Sequence, residues 1–300
     1  RGIGFSKFIS AGDAADIDVA DLLDYLGSDA DTGAILLFVA TLRSARKFMS
    51  AGRAAARNKP VVVVKAGRAA EGARAAMLHT GMLAGPDDVF DAAIRRAGML
   101  RVFSTEELFD AVESLARARR QTGSRLAIMG NGGGPAIMAI DALTRGGGEP
   151  AQLSDATQAR LRELVPAFGS TINPVDILGY APATRYAGVL ETLLADSASD
   201  AVLMIHSPTA LVSSTEVAEA IVPVARATGR NVLSCWLGGD SLDPAREIAA
   251  KARIPVYDTP EKAVGAFLHI VEHRRNQDLL MEVPPSVSRE FEFDVVLARA

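Results

Sequence analysis

The sequence predicts an α/β protein of two domains. Short β-branched runs alternate with longer amphipathic runs, the pattern of parallel strands joined by crossover helices. The rhythm restarts near "RQTGS", where residues 121 to 124 read as a polar link. A chain of 300 residues is long enough for about two domains of ordinary size.

In the first domain the strand candidates are "GFSKFIS", "GAILLFVAT", "PVVVVKAG" and "MLRVFS". Between them, "DVADLLDYLG", "SARKFMSAGRAAARN" and "PDDVFDAAIRRAG" carry helical spacing. "STEELFDAVESLARARR" follows, and its Ser104 to Glu107 opening resembles a capping box. The expected bounds are 1–121 for this domain, 122–277 for the next and 278–300 for a linker or the start of a further segment. Second-domain strands are expected at "RLAIMGN", "INPVDI", "DAVLMIHS", "NVLSCWLGG" and "PVYDT". Its helices are expected at 135–146, 155–164, 182–195, 214–228, 241–252 and 260–276. Five short strands each followed by a helix predict a flavodoxin-like sheet, whose ligands sit where the first and third strands diverge.

Composition narrows the function classes. A net charge of −4 with scattered basic residues leaves no footprint for nucleic acid. The longest apolar runs fall short of the ~20 residues of a membrane span, and the amino-terminal stretch lacks the core of a signal peptide. The single Cys235 forms no internal disulfide, and four separated histidines give no zinc spacing, so a reducing cytoplasm is expected. The start without methionine and the Pro-marked break at "EVPPSVSREFEF" read as an internal piece of a longer polypeptide.

Three stretches could carry chemistry. In "GNGGGPAIMAIDAL" a strand ends at Gly130, and Gly132, Gly133 and Gly134 allow a tight turn and close approach to a ligand. Pro135 suits a first helical turn whose amides would face an anion, although a ligand-free turn explains the glycines too. In "MIHSPTALVSSTEVAEAI", Ser207 and Thr209 either cap the next helix or line a phosphate site. Both loops would lie at the switch point, with two helix N-termini aimed at one crevice. In "AAMLHTGMLAGPDD", Gly81 and Gly85 place His79 on a bent, accessible segment rather than a regular helix. His79 alone reads first as a structural or exposed histidine and second as a nucleophile.

Lys65 and Arg68 could attract an anion or be solvated. His269 and His273 have i,i+4 spacing but no H-E-x-x-H context, and read as a helix face. Cys235 beside Trp236 reads as core, and "DDVFD" as a helix N-terminal charge bias.

Taken together, "GIGFSKFISAGDAADIDVADLLDYL", "ARKFMSAGRAAARNKPVVVVKAGR", "HTGMLAG", "NGGGP" and "NPVD" resemble the NDP-forming acyl-CoA synthetases, relatives of succinyl-CoA synthetase. Bacterial proteins that fuse this module to an ATP-grasp domain, and often to a lysine acetyltransferase domain, are the nearest in kind. The resemblance implies two flavodoxin-like, three-layer domains with mainly parallel sheets, which normally follow a CoA-binding domain. It implies that His79 carries a phosphoryl group while acyl-CoA, phosphate and ADP become acid, CoA and ATP. CoA or acyl-CoA, ADP or ATP and Mg would serve the intact parent.

Three departures accompany the resemblance. Ala40 stands where catalysing relatives commonly carry a glutamate that contacts the histidine; Asp13 or Asp16 could replace that carboxylate. The first domain lacks its usual first strand and glycine-rich turn. Neither a CoA-binding nor an ATP-grasp domain is present, so this piece alone is expected to be inactive. The competing expectation is a degenerate acyl-CoA-sensing module of a lysine acetyltransferase. The acyl group is unread, and self-association through an unpaired sheet edge is left open.

Overall fold

The computed structural model describes residues 4–12, 14–81, 85–119 and 123–282, with the side chains of His79 and Thr80 outside that description. The first unit runs α1 (Val19–Ser28), β1 (Ile35–Val39), α2 (Ala45–Asn58), β2 (Val61–Lys65), α3 (Ala70–Thr80), α4 (Asp87–Arg96), β3 (Leu100–Val102) and α5 (Thr105–Arg117). Its strands are parallel in the order β1-β2-β3, with Ile35 beside Val61 and Val62 beside Leu100. The unbroken Val61–Val64 run is buried on both faces, as a central parallel strand requires. Leu23, Phe48, Ala55, Phe90 and Ile94 cover one face, and Leu108, Ala111 and Val112 of α5 cover the other.

Two expectations fail here. "GFSKFIS" is not a strand: residues 4–10 form no ladder, and Phe8 is exposed. Apolar alternation builds a strand only where a neighbour offers hydrogen bonds. His79, expected on a bent segment rather than a regular helix, has its backbone in the helix α3, Ala70–Thr80.

The second unit runs β4 (Arg125–Gly130), α6 (Gly133–Arg145), β5 (Glu149–Pro150), α7 (Asp155–Leu164), β6 (Val175–Asp176), α8 (Ala183–Ala195), β7 (Ala201–His206), α9 (Ser214–Ala227), β8 (Asn231–Trp236), α10 (Asp243–Lys251), β9 (Val256–Tyr257) and α11 (Pro260–Met281). All the expected strands and helices of this unit occur. The sheet order is β5-β4-β7-β8-β9, with β6 also on β4, and every pair is parallel. This is the flavodoxin-like order, with β4 and β7 flanking the switch point. The unforeseen β5 and the short β6 share one edge of β4, and Asn173 fills the gap between them. Its side chain accepts from the Ile128 N–H and donates to the Leu126 and Ala151 carbonyls. Helices α7 to α10 cover one face, while α6 and α11 cover the other, so the unit has three layers.

Helix α11 extends past the expected boundary at 277 because its two halves bury into different cores. Phe267 and Val271 pack under the second sheet, whereas Leu280 joins the first unit's core. The Asn276 amide donates to Met99 O at 2.8 Å, and Gln277 donates to Gly98 O at 2.7 Å and Ala56 O at 3.0 Å. Most of the expected linker, residues 283–300, lies outside the described residues.

Candidate functional site

Strand β4 delivers the glycine-rich loop to the carboxyl end of the second sheet. A Cβ on Gly130 would crowd the neighbouring strand, standing 3.1 Å from Ile205 O and 3.2 Å from Ile205 Cβ. Asn131, buried at 6% exposure, then ties this loop to the one after β7. Its amide donates to Ser207 O at 2.7 Å, and the Ser207 N–H donates back to Asn131 Oδ1 at 2.8 Å.

Gly132 is the N-cap of α6, and no side chain caps that helix. The orphan amides of a helix start are those of the N-cap and the next three residues. Here they fall on Gly132, Gly133, Gly134 and Pro135, and proline has none. All three donors are therefore on glycines. None of the three has a positive φ, so the expected tight turn is not what selects them. Nothing lies within 4 Å of a Cβ placed on Gly134. Of the three, Gly134 leaves open space where a side chain would stand.

The β7 loop meets this start directly. A Cβ on Gly132 would lie 3.5 Å from Ser207 Oγ, and one on Gly179 would lie 3.9 Å from Thr209 Cγ2. The expected pair of free helix N-termini is corrected, however. Ser213, seven residues beyond β7, caps α9 by accepting from the Glu216 N–H, so Ser207 and Thr209 are neither caps nor members of that helix. The crevice has one uncapped helix start faced by a hydroxyl-bearing loop. Sequence reasoning left Asp176 of "NPVD" unassigned; its Oδ2 stands 3.7 Å from a Cβ on Gly133, while its Oδ1 accepts from the Leu178 N–H.

Behind the crevice lies a second missed residue. His206 is fully buried, with Nδ1 2.8 Å from the Tyr186 hydroxyl and Nε2 2.9 Å from Ser214 Oγ. Burial lowers its pKa to about 4, so the imidazole is neutral. The signal available in sequence was a histidine ending an otherwise apolar strand.

His79 is the penultimate residue of α3, and its backbone is helical. The alanines at 70, 73, 75 and 76 favour that helix, and Gly81 ends it as a left-handed cap, φ 67°, donating to Met77 O. The glycine read as a loop signal is the stop signal of a helix. The His79 imidazole lies outside the described residues.

Lys65 and Arg68 are not simply solvated, because Asp87 stands 3.5 Å from each. Burial pushes the Asp87 carboxyl up, but Arg101, Lys65 and Arg68 together hold it below its usual value. His269 and His273 are largely buried on α11, and burial lowers both pKa values. Cys235 is buried, and its thiol is pushed up to about 12. Among the described residues, no group of three or more His, Cys, Asp or Glu is placed to hold a metal, and no helix is long and apolar enough to cross a membrane. A groove of about 620 Å³ between α7 and α8, lined by Ser154, Arg160 and Glu191, lies outside this crevice.

Two families match the chain: one described as succinyl-CoA ligase like flavodoxin domain, over residues 1–115, and one described as Ligase-CoA domain, over residues 126–269. The chain is 41% identical over 267 residues to acetate–CoA ligase (ADP-forming) I of Archaeoglobus fulgidus, covering 89% of this chain and 38% of that one. It is 35% identical over 273 residues to acetate–CoA ligase (ADP-forming) I subunit alpha of Pyrococcus furiosus, covering 88% of this chain and 58% of the relative. A solved structure, dinucleotide-forming acetyl-coenzyme A synthetase 1 of Ca. Korarchaeum cryptofilum in complex with phosphate and ADP, has a TM-score of 0.83 at 31% identity. That match covers 91% of this chain and 60% of the other.

Proposed function

The chain belongs to the succinyl-CoA ligase-like family of ADP-forming acyl-CoA synthetases, and from that premise we propose that it forms the ligase core of such an enzyme. The proposed overall reaction turns acyl-CoA, phosphate and ADP into the free acid, CoA and ATP. A phosphate oxygen attacks the thioester carbonyl, giving an acyl phosphate and releasing the CoA thiolate. His79 then takes the phosphoryl group from the acyl phosphate, releasing the carboxylate, and passes it to ADP.

The observation that carries this reading is the uncapped start of α6, whose remaining amides are all on glycines and which lies beside the Ser207 loop. A phosphohistidine carries about two negative charges, and such amides stabilise an anion without a basic side chain. Gly132, Gly133, Gly134, Ser207 and Thr209 are the proposed phosphate-binding residues. His79 is proposed to reach them from α3.

The chain spans 38% and 58% of the two relatives above, so the nucleotide and CoA sites are proposed to lie partly on further chain or on a partner. An ATP-grasp partner fits the Pyrococcus relative's name, which is that of a subunit alpha. Mg is proposed to enter with the nucleotide. The names of these relatives lend no support to an adjoining acetyltransferase domain. We place the boundary between the two domains between the family matches, near residues 116–125, and read the buried single cysteine as fitting a reducing cytoplasm.

The test uses the complete synthetase and radiolabelled ATP. Wild type should form an acid-labile phosphoenzyme, and His79→Ala should form none. Labelling that survives the substitution would place the phosphate elsewhere.

A further inference from the structure

We propose that Asp176 decides which anion the crevice at the start of α6 accepts: its carboxylate shares one proton with an anion oxygen, so the crevice takes phosphate and turns away sulfate. The proposal rests on the reading of this crevice as the phosphate site.

Asp176 is the last residue of β6, and its backbone is held on both edges. On one side it pairs with Gly130, and the Ile177 N–H donates to Gly130 O at 2.9 Å. On the other, it exchanges two hydrogen bonds of 3.1 Å with Ser170. The side chain is held as well, since Oδ1 accepts from the Leu178 N–H at 2.9 Å. Oδ2 is the oxygen that remains, and it stands 3.7 Å from a Cβ placed on Gly133, the first residue of α6. Two strand ends thus set a fixed carboxylate beside the glycine amides.

An aspartate beside a helix start ordinarily caps it. Asp176 does not: no side chain caps α6, and among the described residues Oδ2 has no hydrogen-bond partner and Asp176 no ion pair. The crevice therefore presents donors and an acceptor side by side. A ligand that answers both needs bare oxygens for the amides and one O–H for the carboxylate.

Phosphate is such a ligand. It keeps at least one proton at neutral pH, and even an esterified phosphoryl group has a second pKa of about 6. Sulfate sheds both protons far below neutrality and offers acceptors only. Its oxygens would meet the carboxylate as like charge, with neither group supplying a proton. A phosphoryl group on His79 fits the same count, because the single proton then rests on Asp176 and is donated back to a phosphoryl oxygen. The glycine amides bond the oxygens of either anion alike, so only the carboxylate makes the distinction. Sites built around a substrate hydroxyl reject analogues without it by about 10⁴–10⁵-fold. Asp176 is half-buried, and the solvent beside it reduces this to about 10²-fold.

The experiment is calorimetric titration of the complete synthetase, free of nucleotide, with inorganic phosphate and with sodium sulfate at one ionic strength. Wild type should bind phosphate about 10²-fold more tightly than sulfate. Asp176→Asn keeps an acceptor for the Leu178 N–H and turns the other atom into a donor, so sulfate should gain and the ratio should fall to about threefold or less. Asp176→Ala should lower the ratio as well. A purely structural role would weaken both anions together and leave the ratio intact. Sulfate bound as tightly as phosphate by wild type, or a wild-type ratio surviving in folded Asp176→Asn, overturns the proposal; if that variant does not fold, Asp176→Ala decides. Gly134→Ala separates this failure from failure of the site: phosphate affinity unchanged in that variant removes the crevice as the phosphate site, and the proposal with it.

Discussion

Asn131 and Ser207 bond each other twice, side-chain amide to backbone carbonyl at 2.7 Å and backbone N–H to side-chain oxygen at 2.8 Å. This closes a ring between the loops that leave β4 and β7, the two strands flanking the switch point. Because Asn131 is buried, its loss leaves a donor and an acceptor of Ser207 without partners. Asn131→Ala should therefore destabilise the fold by about 1–3 kcal/mol and weaken phosphate binding. Urea unfolding and phosphate titration calorimetry read the two effects. Unchanged phosphate affinity in a folded variant would detach this ring from the site.

Gly134 separates fold from function in the opposite direction. Its φ is not positive, no atom lies within 4 Å of an added Cβ, and it sits in the first turn of α6. Gly134→Ala should leave stability unchanged or raise it by up to about 1 kcal/mol. The methyl group nevertheless fills open space beside the proposed phosphate site. Phosphate affinity should fall by at least about tenfold, or 1.4 kcal/mol. A stabilised variant that binds phosphate normally would show that the glycines serve only the turn.

The buried histidines set an acid limit on stability. Burial lowers His206 from 6.5 to about 4, so the native imidazole stays neutral where the unfolded one takes a proton. This contribution is complete above pH 6.5, declines as pH falls below it, and is exhausted near pH 4, where the native ring is protonated too. It amounts to about 3 kcal/mol at most. His269 and His273 act in the same direction, while Glu272, raised by burial, acts in the opposite one. Unfolding free energies at pH 7.5 and 4.5 should differ less in His206→Gln than in wild type. An equal difference would assign the acid sensitivity to other groups.

Periodicity was most informative where an element meets its core along one clear face. Val61–Val64 reads as a buried parallel strand, and the Ser104 cap of α5 occurs as expected, accepting from the Glu107 N–H. Glu107 reaches back to the Phe103 N–H, one residue before the cap. Helix α3 was missed because none of its described residues is buried enough to print an apolar stripe, and its glycine stop resembles a loop. The reach of α11 was missed for the reverse reason: its apolar residues serve two cores, so no single face appears. At the site, the two loops were legible because switch-point topology follows from element order. The capping by Ser213 and the roles of Asn131, Asp176 and His206 were not, since each depends on which side chain crosses to a neighbouring loop or helix.

The last prediction concerns Ala40, which follows β1 directly and lies beside the exit of β2, where Val39 pairs with Lys65. A side chain at this position is next to the start of the excursion that carries His79. A carboxylate there would hold the imidazole ring and favour its cationic form as the phosphoryl group leaves. Alanine does neither. Of the two carboxylates considered as replacements, Asp16 is exposed and Asp13 lies outside the described residues. Phosphorylation of His79 should therefore be slow in the complete synthetase, and Ala40→Glu should accelerate it. Orienting and acid–base groups are typically worth about 10²–10⁴-fold, well above the error of a single-turnover measurement. Ala40 is partly exposed at a strand end, so the longer side chain has an outlet to solvent and the variant should fold. A fast wild-type rate unchanged by Ala40→Glu would mean that the relay works without this carboxylate. The sensing-module alternative would then lose its main support.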